Sequence, residues 1–209
     1  MLFTFTLLQQ KLYHGFVGYT TVYQEKNDLF VLGVVPEKNI AKIVYDMRTE
    51  AFRLGDTPDL LGIPAAGVLG FFENKGGAPE VPKRQAFVSQ CATLFDAIPE
   101  KLSFARLETR AGYQLLVPDP QIPDKAFEVA ETLAESWGLS RVSSLDYPRT
   151  WLGGFFVGKA VTPTVPMAFS FYHFAIVLYK IETRRDSATV SIHWTECARA
   201  PRKVRKNDG

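Results

Sequence analysis

The sequence predicts an α+β fold built on antiparallel sheets, and three observations carry that prediction. Met167 to Ile181 (MAFSFYHFAIVLYKI) is apolar or aromatic on both alternate faces and leads into a second alternating run, Ala188 to Cys197, so two adjoining strands belong in a core. Two segments with helical spacing are sharply framed, one ended by Pro99 and the other bracketed by Pro123 and Gly138. Between these helices lie short β-rich runs rather than further helical stripes.

In chain order, Leu2 to Leu8 reads as a first strand, and Leu12 to Gln24 with Asp28 to Val35 reads as a β-hairpin closed by Glu25-Lys26-Asn27, with a bulge at Gly15 and Gly18. Pro36 stands where a helix starts, and Ile40, Ile43, Val44 and Met47 recur at helical spacing, which predicts a helix from about Glu37 to Met47 or on to Leu54. Asp56 to Pro82 is rich in Gly and Pro, with Asn74 to Pro79 as its loop. Phe87, Cys91, Leu94, Phe95 and Ile98 then form one apolar helical stripe. Leu102 to Glu108 and Tyr113 to Val117 flank the turn Arg110-Ala111-Gly112. The next helix carries Phe127, Ala130, Leu133, Ala134 and Trp137 on one face. Adding Val68 to Phe72 before and Phe155 to Val161 after gives β-α-β-β-α-β, the order of a ferredoxin-like unit over about residues 68–161. Met167 to Ile181 would extend about 50 Å at ~3.3 Å per residue, so a break is expected within it, at His173 or Ala175. A long C-terminal β-hairpin completes the fold.

The 209 residues and 46% hydrophobic content suffice for a sizeable core. Residues 1–197 are expected to form a single α+β domain, or two lobes, 1–73 and 83–197, joined by the Gly/Pro-rich segment. Residues 198–209 read as a flexible basic tail, because Arg199, Arg202, Lys203, Arg205 and Lys206 face only Asp208 there. The tail is thus +4 and the remainder −2, out of a net +2. A basic end on a near-neutral body suits a polyanion, either nucleic acid, an acidic protein or an anionic surface, and equally suits a solubilising role. Two cysteines exclude a disulfide scaffold, and the N-terminus lacks the pattern of a secretory signal, so a cytoplasmic location is expected. Ala160 to Tyr179 has twenty residues without Asp, Glu, Lys or Arg, but Pro163 and Pro166 leave only thirteen uninterrupted ones, too few for a membrane helix. No membrane association is expected.

Gly153-Gly154-Phe155-Phe156-Val157-Gly158-Lys159 has the glycine and lysine spacing of a phosphate-binding loop. Ala160 stands where a magnesium-binding hydroxyl belongs, and Pro163 and Pro166 forbid the downstream helix, so no nucleotide or other cofactor is predicted. The same amides, with Lys159 and Arg149, are instead placed to meet a nucleic-acid backbone. In element order and in Gly153, Gly154 and Gly158, Val68 to Val161 is similar to the RAMP proteins of CRISPR systems, although the family's fuller glycine spacing is missing. That similarity implies a ferredoxin-like fold with a glycine-rich loop before a late strand, and the expected partner is nucleic acid, RNA or DNA. Tyr13, Tyr19 and Tyr23 share one face of the first hairpin, as base-stacking aromatics do and as half-buried packing tyrosines also do.

No catalytic or metal set is assigned. A thiolate reaction would need Cys197 beside His173 or His193, with the hairpin turning near Arg185; the plain alternative is a strand-end cysteine and packed histidines. Cys91 lies on an apolar stripe and reads as a buried small hydrophobe. Glu128, Glu131 and Glu135 line the polar side of their helix, as a solvated face or a dock for a basic partner. His193-x-x-Glu196-Cys197 is too sparse for a metal site. The expectation is therefore a non-enzymatic nucleic-acid-binding subunit of a nucleoprotein or mobile-element assembly. A structural protein that docks partners through its C-terminal hairpin is the second reading, and a small Cys/His enzyme the third.

Overall fold

In a computed structural model, the residues described are 5–7, 29–38, 40, 42, 67–74, 79–110, 113–142, 155–158, 168–186 and 189–202. They form an α+β fold with two antiparallel sheets. The strands are β1 (Phe5–Leu7), β2 (Leu29–Pro36), β3 (Gly67–Glu73), β4 (Leu102–Arg110), β5 (Tyr113–Pro118), β6 (Ser140–Arg141), β7 (Phe155–Gly158), β8 (Phe169–Phe171), β9 (Phe174–Asp186) and β10 (Thr189–Pro201). The helices are α1 (Arg84–Gln90), α2 (Ala92–Ala97) and α3 (Asp124–Ser136). The larger sheet has the order β1-β10-β9-β2-β3-β6 and the smaller β7-β5-β4-β8.

The β-α-β-β-α-β order is present along the chain, but its strands divide between the two sheets. β3 pairs with β2 and β6, whereas β4, β5 and β7 pair among themselves and with β8. They therefore do not make the single four-stranded sheet of a ferredoxin-like unit. The larger sheet also interleaves β1 to β3 with β6, β9 and β10, so strands from either side of the Gly/Pro-rich segment share one hydrogen-bonded sheet.

The expected N-terminal hairpin is corrected in the same way. β2 pairs with β9 on one edge (Leu29↔Ile181 to Pro36↔Phe174) and with β3 on the other (Leu29↔Glu73 to Val34↔Gly67); 12–24 lies outside the described residues. The cause is composition: all eight residues of β2 are buried, as suits a central strand covered on both faces. After it, Lys38, Ile40 and Lys42 are helical, in agreement with the expected helix start; Ile43 to Leu54 lies outside the described residues.

One face of the larger sheet presents Phe30, Leu32, Phe72, Ile176, Leu178, Ala198 and Ala200 to the helices. The helices answer with Phe87, Cys91, Leu94 and Ile98, and with Ala126, Ala130, Ala134 and Trp137, all at most 2% exposed. Each large side chain so buried contributes about 1.5–3 kcal/mol. Trp137 packs against Phe87 in a tilted pair with ring centroids 5.2 Å apart, and its indole N–H donates to Gln90 Oε1 at 2.9 Å. α3 ends as the sequence predicts: Gly138 takes φ 75°, its N–H bonds Glu135 O at 2.9 Å, and Leu139 N–H bonds Ala134 O at 3.0 Å. That double bond closes the last turn, and a left-handed residue is needed to make it.

Met167 to Ile181 is broken where expected. β8 ends at Phe171 and β9 starts at Phe174, and the chain crosses from one sheet to the other through Tyr172 and His173. The C-terminal hairpin is also present, with its turn between Asp186 and Thr189 rather than near Arg185. β10 does not stop at Cys197. It continues to Pro201, with Ala198 and Ala200 buried, so the basic tail begins later than its composition indicates.

Candidate nucleic-acid interface

Three strands of the larger sheet end side by side. Pro36 is paired with Phe174, and Pro201 with Ala175, so Glu37, His173 and Arg202 meet at one corner. The smaller sheet reaches the same corner, because Leu102 pairs with Phe171 and the next residues outward are Lys101 and Tyr172. Lys101 Nζ stands 5.6 Å from the Tyr172 ring centroid. Tyr172 is 58% exposed; among the described residues, Leu107 at 41% is the other exposed large hydrophobe. His173 Nδ1 lies 3.8 Å from Glu37 Oε1, both side chains about half exposed. Glu37 follows Pro36 and Glu100 precedes Lys101, so acidic residues also flank this corner in sequence.

Arg202 is the anchor. Its backbone N–H bonds Phe174 O at 2.9 Å. Its guanidinium donates to Pro99 O at 2.9 Å, Phe95 O at 3.2 Å and Ile98 O at 3.4 Å, and lies 5.0 Å over the Phe174 ring. These carbonyls belong to the end of α2, where helical acceptors have no partner of their own and a cation is favoured. Arg202, expected as a phosphate contact on a flexible tail, is thus held against the fold.

Arg199 is likewise held within the protein. It makes a two-pronged contact with Glu196, 2.9 Å to Oε1 and 2.7 Å to Oε2. That bond to Glu196 raises its pKa further, and the neighbouring Tyr179 adds to the rise. Burial pushes Tyr179 up to about 12, against the lowering field of Arg199. A guanidinium engaged this way is a poor phosphate contact.

The expected thiol pair is not assembled. Cys197 is the extra residue of a β-bulge between Glu196↔Tyr179 and Ala198↔Leu178, so His173 is five residues farther along β9 and about 17 Å away at ~3.3 Å per residue. His193 lies four residues back on the same strand, about 13 Å away by the same rise, opposite Glu182. Exposed Cys197 directs its Sγ to Thr195 O at 3.6 Å. Cys91 is buried as expected, and burial pushes its thiol up to about 12.

Gly158 lies in β7 opposite Gln114, so it belongs to a strand and not to a phosphate loop. Arg149, Gly153, Gly154, Lys159, Lys203, Arg205 and Lys206 lie outside the described residues, as do Tyr13, Tyr19 and Tyr23. Of the acidic row on α3, Glu128 and Glu135 are exposed, but Glu131 is bound to Arg141 at 3.0 Å. The apolar C-terminal hairpin is joined by the chain's own β2 along β9 and by β1 at Val190 to Ile192 of β10. Among the described residues, no helix is long and apolar enough to cross a membrane, and no cluster of three His, Cys, Asp or Glu could hold a metal.

Tyr172 and Lys101 were not singled out by sequence. The signal was the combination of a strand break at His173 with an aromatic just before it, since a residue at a sheet crossing is turned out of both cores. No protein-family model, curated protein or solved structure matches this chain.

Proposed function

We propose that this protein binds nucleic acid as a non-enzymatic subunit of a larger nucleoprotein assembly, through the corner at which β10 ends. The observation that carries this reading is the anchoring of Arg202. It fixes the point from which Lys203, Arg205 and Lys206 follow in sequence, beside Lys101 and the exposed Tyr172. Cations released from a fixed point next to an exposed aromatic suit a ligand with phosphates and bases better than an acidic protein surface, which offers no base to stack.

Counterion release gives the test its magnitude. Four cations on phosphates imply a slope of log affinity against log salt of about −3 on a single strand, and removing residues 203–209 is expected to reduce it by about 2. Fluorescence anisotropy with labelled RNA and DNA between about 50 and 200 mM salt reads both quantities. A full-length protein that ignores RNA and DNA at low salt refutes the reading.

A further inference from the structure

We infer that Tyr172 is a stacking platform for an unpaired base, so that the ligand at this corner is single-stranded; this rests on the nucleic-acid reading above. Aromatic neighbours of Tyr172 have their places in the interior. Phe169, Phe171 and Phe174 are 7%, 4% and 4% exposed, and their rings pack on Phe104 and on one another. Tyr172 alone of this group is turned outward, because the backbone leaves the smaller sheet at Phe171 and joins the larger at Phe174.

Its presentation is rigid. β8 is paired to β4 immediately before it, and β9 is paired to β2 and β10 immediately after it. Ordering such a ring on binding loses little conformational freedom. Lys101 Nζ lies 5.6 Å from the ring centroid, so a flexible cation stands within reach of a phosphate that flanks a base on this ring. A duplex has its base faces buried and offers this corner phosphates only. An unpaired base offers a π-face as well, and one stacking contact is worth about tenfold in affinity.

The test uses the full-length chain, the variants Tyr172→Ala and Tyr172→Phe, and a chain ending at Arg202. Each is titrated by anisotropy with a 12-nucleotide single strand, as RNA and as DNA, and with the corresponding duplexes. Tyr172→Ala is expected to weaken single-strand binding about tenfold and leave duplex binding unchanged, while Tyr172→Phe keeps the wild-type affinity. Removing 203–209 is expected to weaken both ligands, since phosphates are common to them. A 2-aminopurine placed in the single strand should be quenched by the wild type and Tyr172→Phe, and not by Tyr172→Ala. Equal single-strand affinity for wild type and Tyr172→Ala, or a parallel loss on duplex, overturns the stacking role while leaving phosphate binding in place. Failure of the wild type to bind any of the four ligands removes the underlying reading itself.

Discussion

Replacing Arg202 separates a structural cation from a ligand-binding one. Its guanidinium meets three carbonyls, of which Pro99 O at 2.9 Å and Phe95 O at 3.2 Å are well placed and Ile98 O at 3.4 Å is marginal. A hydrogen bond with a charged partner contributes about 1.5–3 kcal/mol, and a cation over an aromatic ring at 5.0 Å about 0.5–1 kcal/mol. Arg202 is only partly buried, so water re-solvates much of what is lost. Arg202→Ala is therefore expected to cost about 2–3 kcal/mol of folding stability, well below the sum of its contacts.

Urea denaturation followed by tryptophan fluorescence measures this, with two comparisons. Arg202→Lys should recover less than half, because an ammonium cannot fork to three acceptors. Arg106→Ala removes an ion pair to Glu108 of 2.7 Å with Arg106 54% exposed, and should cost less than about 1 kcal/mol. If Arg202→Ala falls within about 0.5 kcal/mol of wild type, the anchoring is illusory and Arg202 is a surface cation after all.

Three further outcomes follow from the interior. A Cβ at Gly70 would stand 2.4 Å from the Phe72 ring, which is 2% exposed and has no room to move, so Gly70→Ala should destabilise by about 1–3 kcal/mol in the same urea assay. Exposed Cys197 should react with a thiol reagent in the native protein at about pH 8, whereas Cys91 should react only in urea, giving one thiol per chain and then two. Stability should also fall in alkali. Burial raises Cys91 from 9.0 and Tyr179 from 10.0, each to about 12. The unfolded chain therefore loses these protons first, so their contribution is intact below pH 9 and drains away as pH rises toward 12. The loss is up to ~1.4 kcal/mol per pH unit for each group, and a urea midpoint that stays flat from pH 8 to 11 contradicts it.

Local signals in this sequence were legible, and signals of strand partnership were not. The stripe Phe87, Cys91, Leu94, Ile98 identified a helical face from spacing alone, and Gly138 identified a helix end from its backbone requirement. The β4–β5 hairpin needed only a two-residue turn between Arg110 and Tyr113. Which sheet a strand joins is decided by contacts far along the chain. β3 looked like the first strand of a βαββαβ unit, yet it sits between β2 and β6. One clue lay in plain view: Leu29 to Val35 has no polar alternation, which marks a central strand with both edges taken rather than half of a hairpin. β6, two residues long, has no period to read. The exposed platform escaped notice because exposure of Tyr172 comes from the crossing between sheets, a property of topology and not of composition.

The end of β10 shows how one residue displaces a pattern. Before the bulge, Trp194 and Glu196 share a face with Ile181 and Tyr179; after it, Ala198 and Ala200 share the opposite face with Leu178 and Ile176. Cys197 absorbs the change of phase. Read with an unbroken period of two, Ala198, Arg199 and Ala200 would set Arg199 into the helix-covered face and the alanines outside it, which no core tolerates. The sequence there consequently looked like charge without a face. With the bulge, both alanines enter the layer beneath α1, small enough to let the helix approach, and Arg199 swings over to Glu196 and Tyr179. The same change of phase puts Arg202, two residues after Ala200, on the helix-covered side, where it meets the end of α2. Strand register thus commits Arg199 and Arg202 to contacts within the fold, which the charge count of the last twelve residues does not reveal.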